Sequence, residues 1–212
     1  NPPFGGMEED GIELNFPAAT RTRETADLFL QLIIHLLETN GRAAIVLPDG
    51  TLFGEGVKTK LKEKLLAECN LHTLVRLPNS VFAPYTSIKT NILFFEKGTP
   101  TKDIWYYEVP LPPGVKAFNK TKPMKLEQFD GCAEWWGEGK SQKAKLKRKN
   151  RQANDQSWQV SIDEIKDRNF NLDIKNPHQE EQISYDPNEL LQTYAQQQDD
   201  IQQLRTQLKD IL

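Results

Sequence analysis

The sequence predicts an α/β fold in which helices and short apolar strands alternate. Residues 24–39 have apolar side chains at i, i+1, i+4 and i+5, the spacing of one helix face. The almost wholly apolar run 42–47 then ends at Pro48-Asp49-Gly50, as a buried strand ends at a turn. The same helix and strand order recurs at 57–68 and 71–77. Alternation of this kind predicts a parallel sheet covered by helices.

Two further strands are predicted at 88–95 and 104–109, joined across Gly98-Thr99-Pro100. The short connection predicts an antiparallel hairpin at the end of the sheet. Prolines then become frequent and the apolar periodicity is lost. The predicted organisation is a sheet domain over residues 1–110, an irregular extension over 111–183 and a C-terminal helix over 184–212.

The irregular extension contains a basic run between Lys140 and Arg151 in an otherwise acidic chain. Its candidate contacts to DNA phosphates are Lys143, Lys145, Lys147, Arg148 and Lys149, because neutralised phosphates release counterions. The alternative is a solvated, flexible loop. Further on, Ser161-Ile162-Asp163-Glu164 has the capping-box pattern of a short helix, and 170–174 alternates as in a brief strand.

The terminal helix has strong start signals, with Asp186 as N-cap and Pro187 at the first helical position. Apolar residues then recur at steps of four and three, with one glutamine among them, as in a coiled-coil seam. This seam consists of Leu190, Tyr194, Gln197, Ile201, Leu204, Leu208 and Ile211. The pattern favours an arm that pairs with another chain over a helix buried in its own domain.

Composition limits the function classes. The 212 residues carry a net charge of −3 and a pI near 5.7, which argues against a dedicated nucleic-acid-coating protein. A DNA enzyme with a local basic surface remains compatible with this charge. Cys69 and Cys132 indicate neither a disulfide framework nor a zinc site, and the three histidines lack metal-ligand spacing. With no apolar run of membrane-spanning length, we expect a cytoplasmic protein without a metal.

The candidate chemistry lies in Asn1-Pro2-Pro3-Phe4. The prolines fix φ and keep Asn1 out of a helix, so the Asn1 side-chain oxygen and the Pro2 carbonyl are both open as acceptors. Two acceptors on one conjugated amino group favour a more tetrahedral nitrogen and stabilise its developing positive charge. Phe4 offers a flat face for a heterocycle. The alternative is an ordinary surface turn, since Asn-Pro and Pro-Pro are common turn dipeptides.

The order of several motifs decides between these alternatives. Asn1–Gly6, Arg42–Gly50, Asn70–Pro78 and Tyr85–Phe95 together resemble the modification (M) subunits of type I restriction-modification systems, which are S-adenosylmethionine-dependent adenine-N6 DNA methyltransferases. In that family a glycine-rich cofactor loop precedes the Asn-Pro-Pro-Phe motif. We therefore interpret the chain as the C-terminal part of such a subunit, with the cofactor site upstream and the sheet as the second half of a Rossmann-like fold.

The resemblance implies roles for named residues. Asn1 and Pro2 would accept hydrogen bonds from the amino group of a flipped adenine, Pro3 would hold the turn, and Phe4 would stack on the base. Phe82 and Tyr85 are candidates for the second stacking face, or else they pack under a loop. Arg21 and Arg23, in the long loop after the motif, are candidate phosphate contacts, with solvated charges as the alternative.

The implied partners are DNA, the specificity (S) subunit bound through the terminal helix, and the restriction (R) subunit. Two other functions stay open at this point. Asn-Pro-Pro-aromatic clamps also serve methyltransferases that act on RNA adenines, on protein glutamine and, less often, on cytosine N4. Alternatively, the chain is an assembly module that docks the specificity subunit without activity of its own.

Overall fold

The computed structural model describes residues 1–137 and 151–178, together with Leu191, Tyr194, Gln198 and Ile201, which are helical. The chain divides into two compact units, Asn1–His178 and Gln179–Leu212. The candidate DNA contacts Lys143, Lys145, Lys147, Arg148 and Lys149 lie outside the described residues, as does most of the predicted coiled-coil seam. The functional division at residues 110 and 183 stays a prediction.

The first unit consists of one sheet with helices on it. The strands are β1 (Arg42–Pro48), β2 (Cys69–Arg76), β3 (Thr90–Lys97), β4 (Asp103–Glu108) and β5 (Ser157–Ser161). The α-helices are α1 (Thr25–Leu36), α2 (Asp49–Phe53), α3 (Val57–Glu68), α4 (Asp130–Trp136) and α5 (Ile162–Asp167). Short 3-10 helices lie at Ile12–Asn15, Ala18–Thr20 and Leu126–Phe129.

The order of strands across the sheet is β1-β3-β2-β4-β5. Strand β3 is antiparallel to both β1 and β2, β4 is parallel to β2, and β5 is antiparallel to β4. The sheet is therefore mixed rather than parallel. Because β3 opposes both of its neighbours, β1 and β2 run in the same direction and end at one edge of the sheet, named here the exit edge.

The predicted antiparallel hairpin of β3 and β4 is wrong. Both sides of β3 are occupied, by β1 and by β2, so β4 pairs instead with the outer side of β2. The connection between β3 and β4 crosses the start of β2. There the Thr101 hydroxyl accepts a hydrogen bond from the Leu71 N–H (2.8 Å) and donates one to the Cys69 carbonyl (2.7 Å).

Side chains of β3 alternate between two apolar layers, as the two-residue period of a strand requires. Leu93 and Phe95 belong to the larger layer, which includes Leu30 of α1, Leu65 of α3 and other residues of these helices. Complete burial of a side chain of this size contributes about 1.5–3 kcal/mol. This layer is the main reason why α1 and α3 stay on the sheet.

The second apolar layer lies on the other face, under α4. Trp136 packs edge-on against Phe94, with ring centroids 5.0 Å apart, and Trp135 lies 5.1 Å from the Tyr107 ring. The Arg151 guanidinium stacks over both tryptophans and donates to the Thr73 hydroxyl (2.6 Å). The two tryptophans therefore anchor α4, and Arg151, at the end of the basic run, is held against the same unit.

Residues beyond 150 join the same sheet, because β5 pairs with β4. The predicted cap is present, since the Ser161 hydroxyl accepts the Glu164 N–H (3.2 Å) where α5 begins. The brief strand predicted over 170–174 does not form. Leu172 and Ile174 are buried as the alternation predicts, but the Leu172 N–H bonds to the carbonyl of Leu52 in α2 rather than to a strand.

Across the described part of the chain, no helix combines the length and the apolar character needed to cross a membrane.

Thr101 generates a prediction about stability. Replacing it with Val should lower the free energy of unfolding by about 1–3 kcal/mol, because the buried Leu71 N–H would lose its acceptor. Urea unfolding measures this difference. The matched control is Thr99→Val at an exposed position two residues away, and an equal loss in both variants would contradict the assignment.

Candidate active site

The exit edge brings three parts of the chain together: residues 1–6, the start of α1 and the loop after β2. The Thr25 N–H donates to the Gly6 carbonyl (3.0 Å). The Phe4 ring meets the Phe82 ring at a centroid distance of 5.3 Å and an interplanar angle of 82°. Pro2 is buried, whereas Asn1 is exposed. The tetrapeptide is thus anchored through Pro2 and Phe4, whereas Asn1 and Pro3 are exposed.

The two candidate stacking aromatics have different surroundings. Phe82 is half-buried and meets Phe4 edge to face, an arrangement that contributes about 0.5–1.5 kcal/mol beyond burial. Because the two planes are nearly perpendicular, Phe82 braces Phe4 and does not face it in parallel. Tyr85, three residues later, is 91% exposed.

Residues 7–24 form a closed loop directly after the tetrapeptide. Met7 and Glu24 form an antiparallel bridge at its base, where the Glu8 N–H donates to the Arg23 carbonyl (2.9 Å). The Arg23 guanidinium donates to the Glu8 carbonyl and pairs with Asp10 (2.5 Å). Arg21 donates to the Phe16 carbonyl (3.1 Å). Both arginines therefore hold the loop in its shape, and their role as phosphate contacts stays a prediction.

A buried ion pair lies behind this loop. Asp27, in the first turn of α1, is 1% exposed, and Lys58 of α3 donates to it (2.5 Å) and to Glu24 (2.5 Å). The Thr51 hydroxyl donates to the other Asp27 oxygen (3.3 Å). Burial raises the pKa of the Asp27 carboxyl above its usual value, although the hydrogen bond from Lys58 opposes this. Burial would lower the pKa of Lys58, but hydrogen bonds to Asp27 and Glu24 raise it overall.

Lys62 is a second buried cation, one turn further along α3. It is 2% exposed, and its ammonium group donates to the carbonyls of Leu52 (2.7 Å) and Gly54 (2.8 Å) at the end of α2. Burial and then the nearby positive charge of Lys58 lower its pKa from 10.5 to about 8. This role could not be predicted from the sequence, because a lysine in a charged helix resembles any solvated surface residue.

A third charged cluster lies at the ends of the strands. Arg76, at the end of β2, donates to the Ile174 carbonyl (2.8 Å), pairs with Asp173 (2.7 Å) and lies 3.8 Å from Asp49. Asn91, at the start of β3, donates to Asp49 (2.5 Å). These contacts fix residues 173–174 to the exit edge. This cluster was not predicted from the sequence. It could have been, because Asp49 and Arg76 lie at the ends of two strands that were expected to end at the same edge of the sheet.

The glycine-rich segment 50–56 is packed by its own chain. A Cβ atom added at Gly54 would stand 2.6 Å from the Gly50 carbonyl oxygen and 2.2 Å from Lys58 Cδ. The Lys62 ammonium group also occupies the carbonyls at the end of α2. The segment is therefore closed around Gly54 by its own chain, whereas an added Cβ atom at Gly50 or Gly56 would meet nothing within 4 Å.

A cavity of about 770 Å³ opens at the other end of β1, between the sheet and α4. Its lining includes Arg42, Ala44, Phe94 and Trp136. Because Arg42 begins β1 and the exit edge lies beyond Pro48, this cavity is separate from the tetrapeptide.

Lys62 generates a prediction about pH. Between pH 8 and 10.5 the unfolded chain binds more protons than the folded chain at this site, so stability rises with pH there. The free energy of unfolding of the wild type should therefore increase relative to that of Lys62→Met over this range. The difference approaches about 3 kcal/mol, since a pKa difference of one corresponds to about 1.4 kcal/mol.

The measurement is denaturant unfolding at several pH values from 7 to 11. Lys60→Met, at an exposed position on the same helix, is the matched control and should follow the wild type. Parallel curves for the wild type and Lys62→Met would show that Lys62 is not perturbed.

Comparison with known proteins identifies the family to which this sequence is similar. A sequence profile described as "N-6 DNA Methylase" matches residues 1–186. The methylase subunit of the type I restriction enzyme EcoEI from Escherichia coli is 65% identical over all 212 residues, which span 42% of that subunit.

Two solved structures agree with this likeness. A modification subunit of a putative type I restriction enzyme from Vibrio vulnificus YJ016 superposes with a TM-score of 0.74 at 47% identity, over 84% of this chain and 37% of that one. A chain from a study of complex assembly and conformational transition in the type I R-M system has a TM-score of 0.76 at 36% identity, over 100% of this chain and 44% of that one.

Proposed function

The chain belongs to the N-6 DNA Methylase family, and on that premise we propose that it is the C-terminal part of a type I restriction-modification M subunit. The complete subunit would transfer a methyl group from S-adenosylmethionine to N6 of an adenine flipped out of DNA. The observation that carries this proposal is the meeting of Phe4, Phe82 and the start of α1 around an Asn-Pro-Pro-Phe motif whose asparagine is exposed.

The chain's own residues would bind and polarise the adenine amino group. The exposed Asn1 side-chain oxygen and the Pro2 carbonyl would accept its two N–H groups, and buried Pro2 would keep both acceptors in fixed positions. Preorganised acceptors stabilise the positive charge that develops on the nitrogen as it attacks. Flipping also removes the base from its stack in the duplex, which costs free energy. Stacking on Phe4 would offset part of this unstacking cost.

Different roles are proposed for Phe82 and Tyr85. Phe82 would set the orientation of the Phe4 ring, because it already meets that ring edge-on. Tyr85, with 91% of its surface exposed, would supply the second stacking face once a base is present. The sequence alone made Phe82 and Tyr85 equal candidates for the second stacking face, and the proposal now gives each a separate role.

Two candidate places do not suit S-adenosylmethionine next to the clamp. Segment 50–56 is closed around Gly54 by Lys58, and the 770 Å³ cavity opens at the far end of β1 from the motif. The cofactor would supply the methyl group when bound, and we propose that its site lies mostly in a part of the subunit upstream of Asn1. The present sheet would then be the second half of a Rossmann-like sheet, with β1 beside the missing strands.

The proposed partners follow from family membership. They are DNA, the specificity subunit and the restriction subunit. Residues 184–212 would form a coiled-coil-like arm for assembly, and the DNA phosphates would be contacted by Lys143, Lys145, Lys147, Arg148 and Lys149. A cytoplasmic location belongs to the same proposal. The relatives are named as restriction-enzyme methylase subunits, which favours DNA over RNA or protein as the substrate and disfavours an assembly module without activity.

The clamp gives the first functional prediction. In the complete subunit with its specificity partner, Asn1→Ala should lower methyl transfer by about 10²–10³-fold, the usual effect of removing one preorganised group. DNA affinity should stay close to wild type. Asn15→Ala, in the exposed loop after the motif, is the control. Normal methylation of adenine by Asn1→Ala would exclude the clamp.

Phe4→Ala should weaken retention of the flipped base by about 1–3 kcal/mol, the value of one aromatic–base stack. The fluorescence of 2-aminopurine at the target position would report this loss, and methylation would fall in parallel. Phe53→Ala, an exposed phenylalanine in α2, should change neither signal. Equal fluorescence in Phe4→Ala and wild type would remove Phe4 from the site.

The isolated 212-residue chain should bind no S-adenosylmethionine and methylate nothing, because the proposed cofactor site lies mostly upstream of Asn1. Calorimetric titration is the measurement, performed on the chain alone and after addition of the complementary upstream segment of the subunit. Micromolar binding by the chain alone would place the cofactor site within residues 1–212.

A further inference from the structure

The backbone just after the clamp rests directly on the first turn of α1. The Gly6 carbonyl accepts the Thr25 N–H at 3.0 Å. A Cβ atom added at Gly6 would stand 2.8 Å from the Thr25 hydroxyl oxygen and 3.4 Å from the Thr25 Cβ atom. Real non-bonded Cβ contacts essentially never fall below 3.0 Å. A side chain at position 6 would therefore force either this segment or the Thr25 side chain to move.

The first turn of α1 is itself held in place by contacts with α2 and α3. Asp27 lies in this turn, two residues after Thr25, is 1% exposed, and receives hydrogen bonds from Lys58 (2.5 Å) and Thr51 (3.3 Å). Lys58 is the second residue of α3, and Thr51 belongs to α2, which directly follows β1. Asp27 thus joins the first turn of α1 to α2 and α3, and Thr25 in the same turn bonds to Gly6, two residues after Phe4.

The other side of the clamp is held by the loop after β2. Phe82 meets Phe4, and the nearby Ser80 hydroxyl accepts the N–H of buried Phe118 (2.8 Å). The clamp therefore has a support on each side, one aromatic and one formed by the backbone. A catalytic geometry depends on such supports, since a misplacement of about 1 Å can cost about 10²-fold in rate.

We propose that the backbone N–H of Thr25 and the carboxylate of Asp27 hold Asn1–Phe4 in its reactive geometry through Gly6, which makes both residues positioning residues. They act on the clamp and not on the adenine itself. The inference rests on the proposed function, because it assumes that Asn1–Phe4 is a substrate clamp. It goes beyond that function because it gives a positioning role to a buried ion pair, Asp27 with Lys58, that lies outside the Asn-Pro-Pro-Phe motif.

The first test uses the complete subunit with its specificity partner and target DNA. Gly6→Ala introduces the clash with the Thr25 hydroxyl and should lower kcat about tenfold or more. KM and DNA affinity should stay within about twofold of the wild type, because the lost geometry matters in the transition state. Adding Thr25→Ala removes the clashing oxygen and should bring kcat back to within about threefold of wild type.

The second test addresses the ion pair. Asp27→Asn keeps the size of the side chain and an acceptor for Thr51, but removes the charge that holds Lys58. It should lower kcat about tenfold with KM and DNA affinity little changed. Asp163→Asn, which removes a carboxylate from an exposed pair with Lys166, is the matched control and should leave kcat unchanged. Asp27→Asn also carries the test if Gly6→Ala does not fold.

A readout without catalysis separates this inference from the proposed function. Amide hydrogen exchange of residues 4–8 should be faster in Gly6→Ala and Asp27→Asn than in wild type or Asp163→Asn. If the wild-type complex fails to methylate adenine, the proposed function fails, and unchanged exchange would overturn the positioning role as well. If the wild type is active, full kcat in Gly6→Ala, no recovery in Gly6→Ala/Thr25→Ala, or full kcat in Asp27→Asn would overturn it.

Discussion

The placement of β3 between β1 and β2, antiparallel to both, determines where the other parts of this protein lie. It makes β1 and β2 end at the same edge while occupying both sides of β3, which sends β4 to the outer side of β2. The helices that run back from this edge, α1 and α3, begin there. Their first turns, together with the loop after β2, become the supports of the Asn-Pro-Pro-Phe segment.

The exit edge concentrates buried charge. Asp27 with Lys58 lies on one side and Arg76 with Asp173 on the other, while Lys62 caps α2 between two carbonyls. Buried ion pairs contribute little net stability, since desolvation offsets much of their attraction. Their value here is geometric, because each buried charge accepts few arrangements of its neighbours. A site that depends on the direction of two acceptor atoms benefits from such restriction.

Much of the local structure was predictable from sequence, because periodicity and caps are local signals. The bounds of α3 and the N-cap at Ser161 match the structure, and the predicted strands β1 to β4 lie within a few residues of the observed ones. Strand pairing was not predictable, because the length between β3 and β4 says nothing about which strand edges are free. Strand β5 was missed for a related reason: its five residues, Ser157–Ser161, gain their partner only from β4.

The candidate site divides in the same way. Asn1–Phe4 carries its chemistry in its residue types, so the motif was visible, as was the proximity of an aromatic from the loop after β2. The supports were not visible, because Thr25, Asp27 and Lys58 resemble an ordinary helix start and an ordinary surface lysine until α1 and α3 are packed together. Chemistry that requires particular atoms leaves a motif, whereas chemistry that requires rigidity is distributed over contacts between elements. The Gly6–Thr25 contact joins the two, because the backbone just after the motif lies so close to α1 that a Cβ atom added at Gly6 would stand 2.8 Å from the Thr25 hydroxyl oxygen.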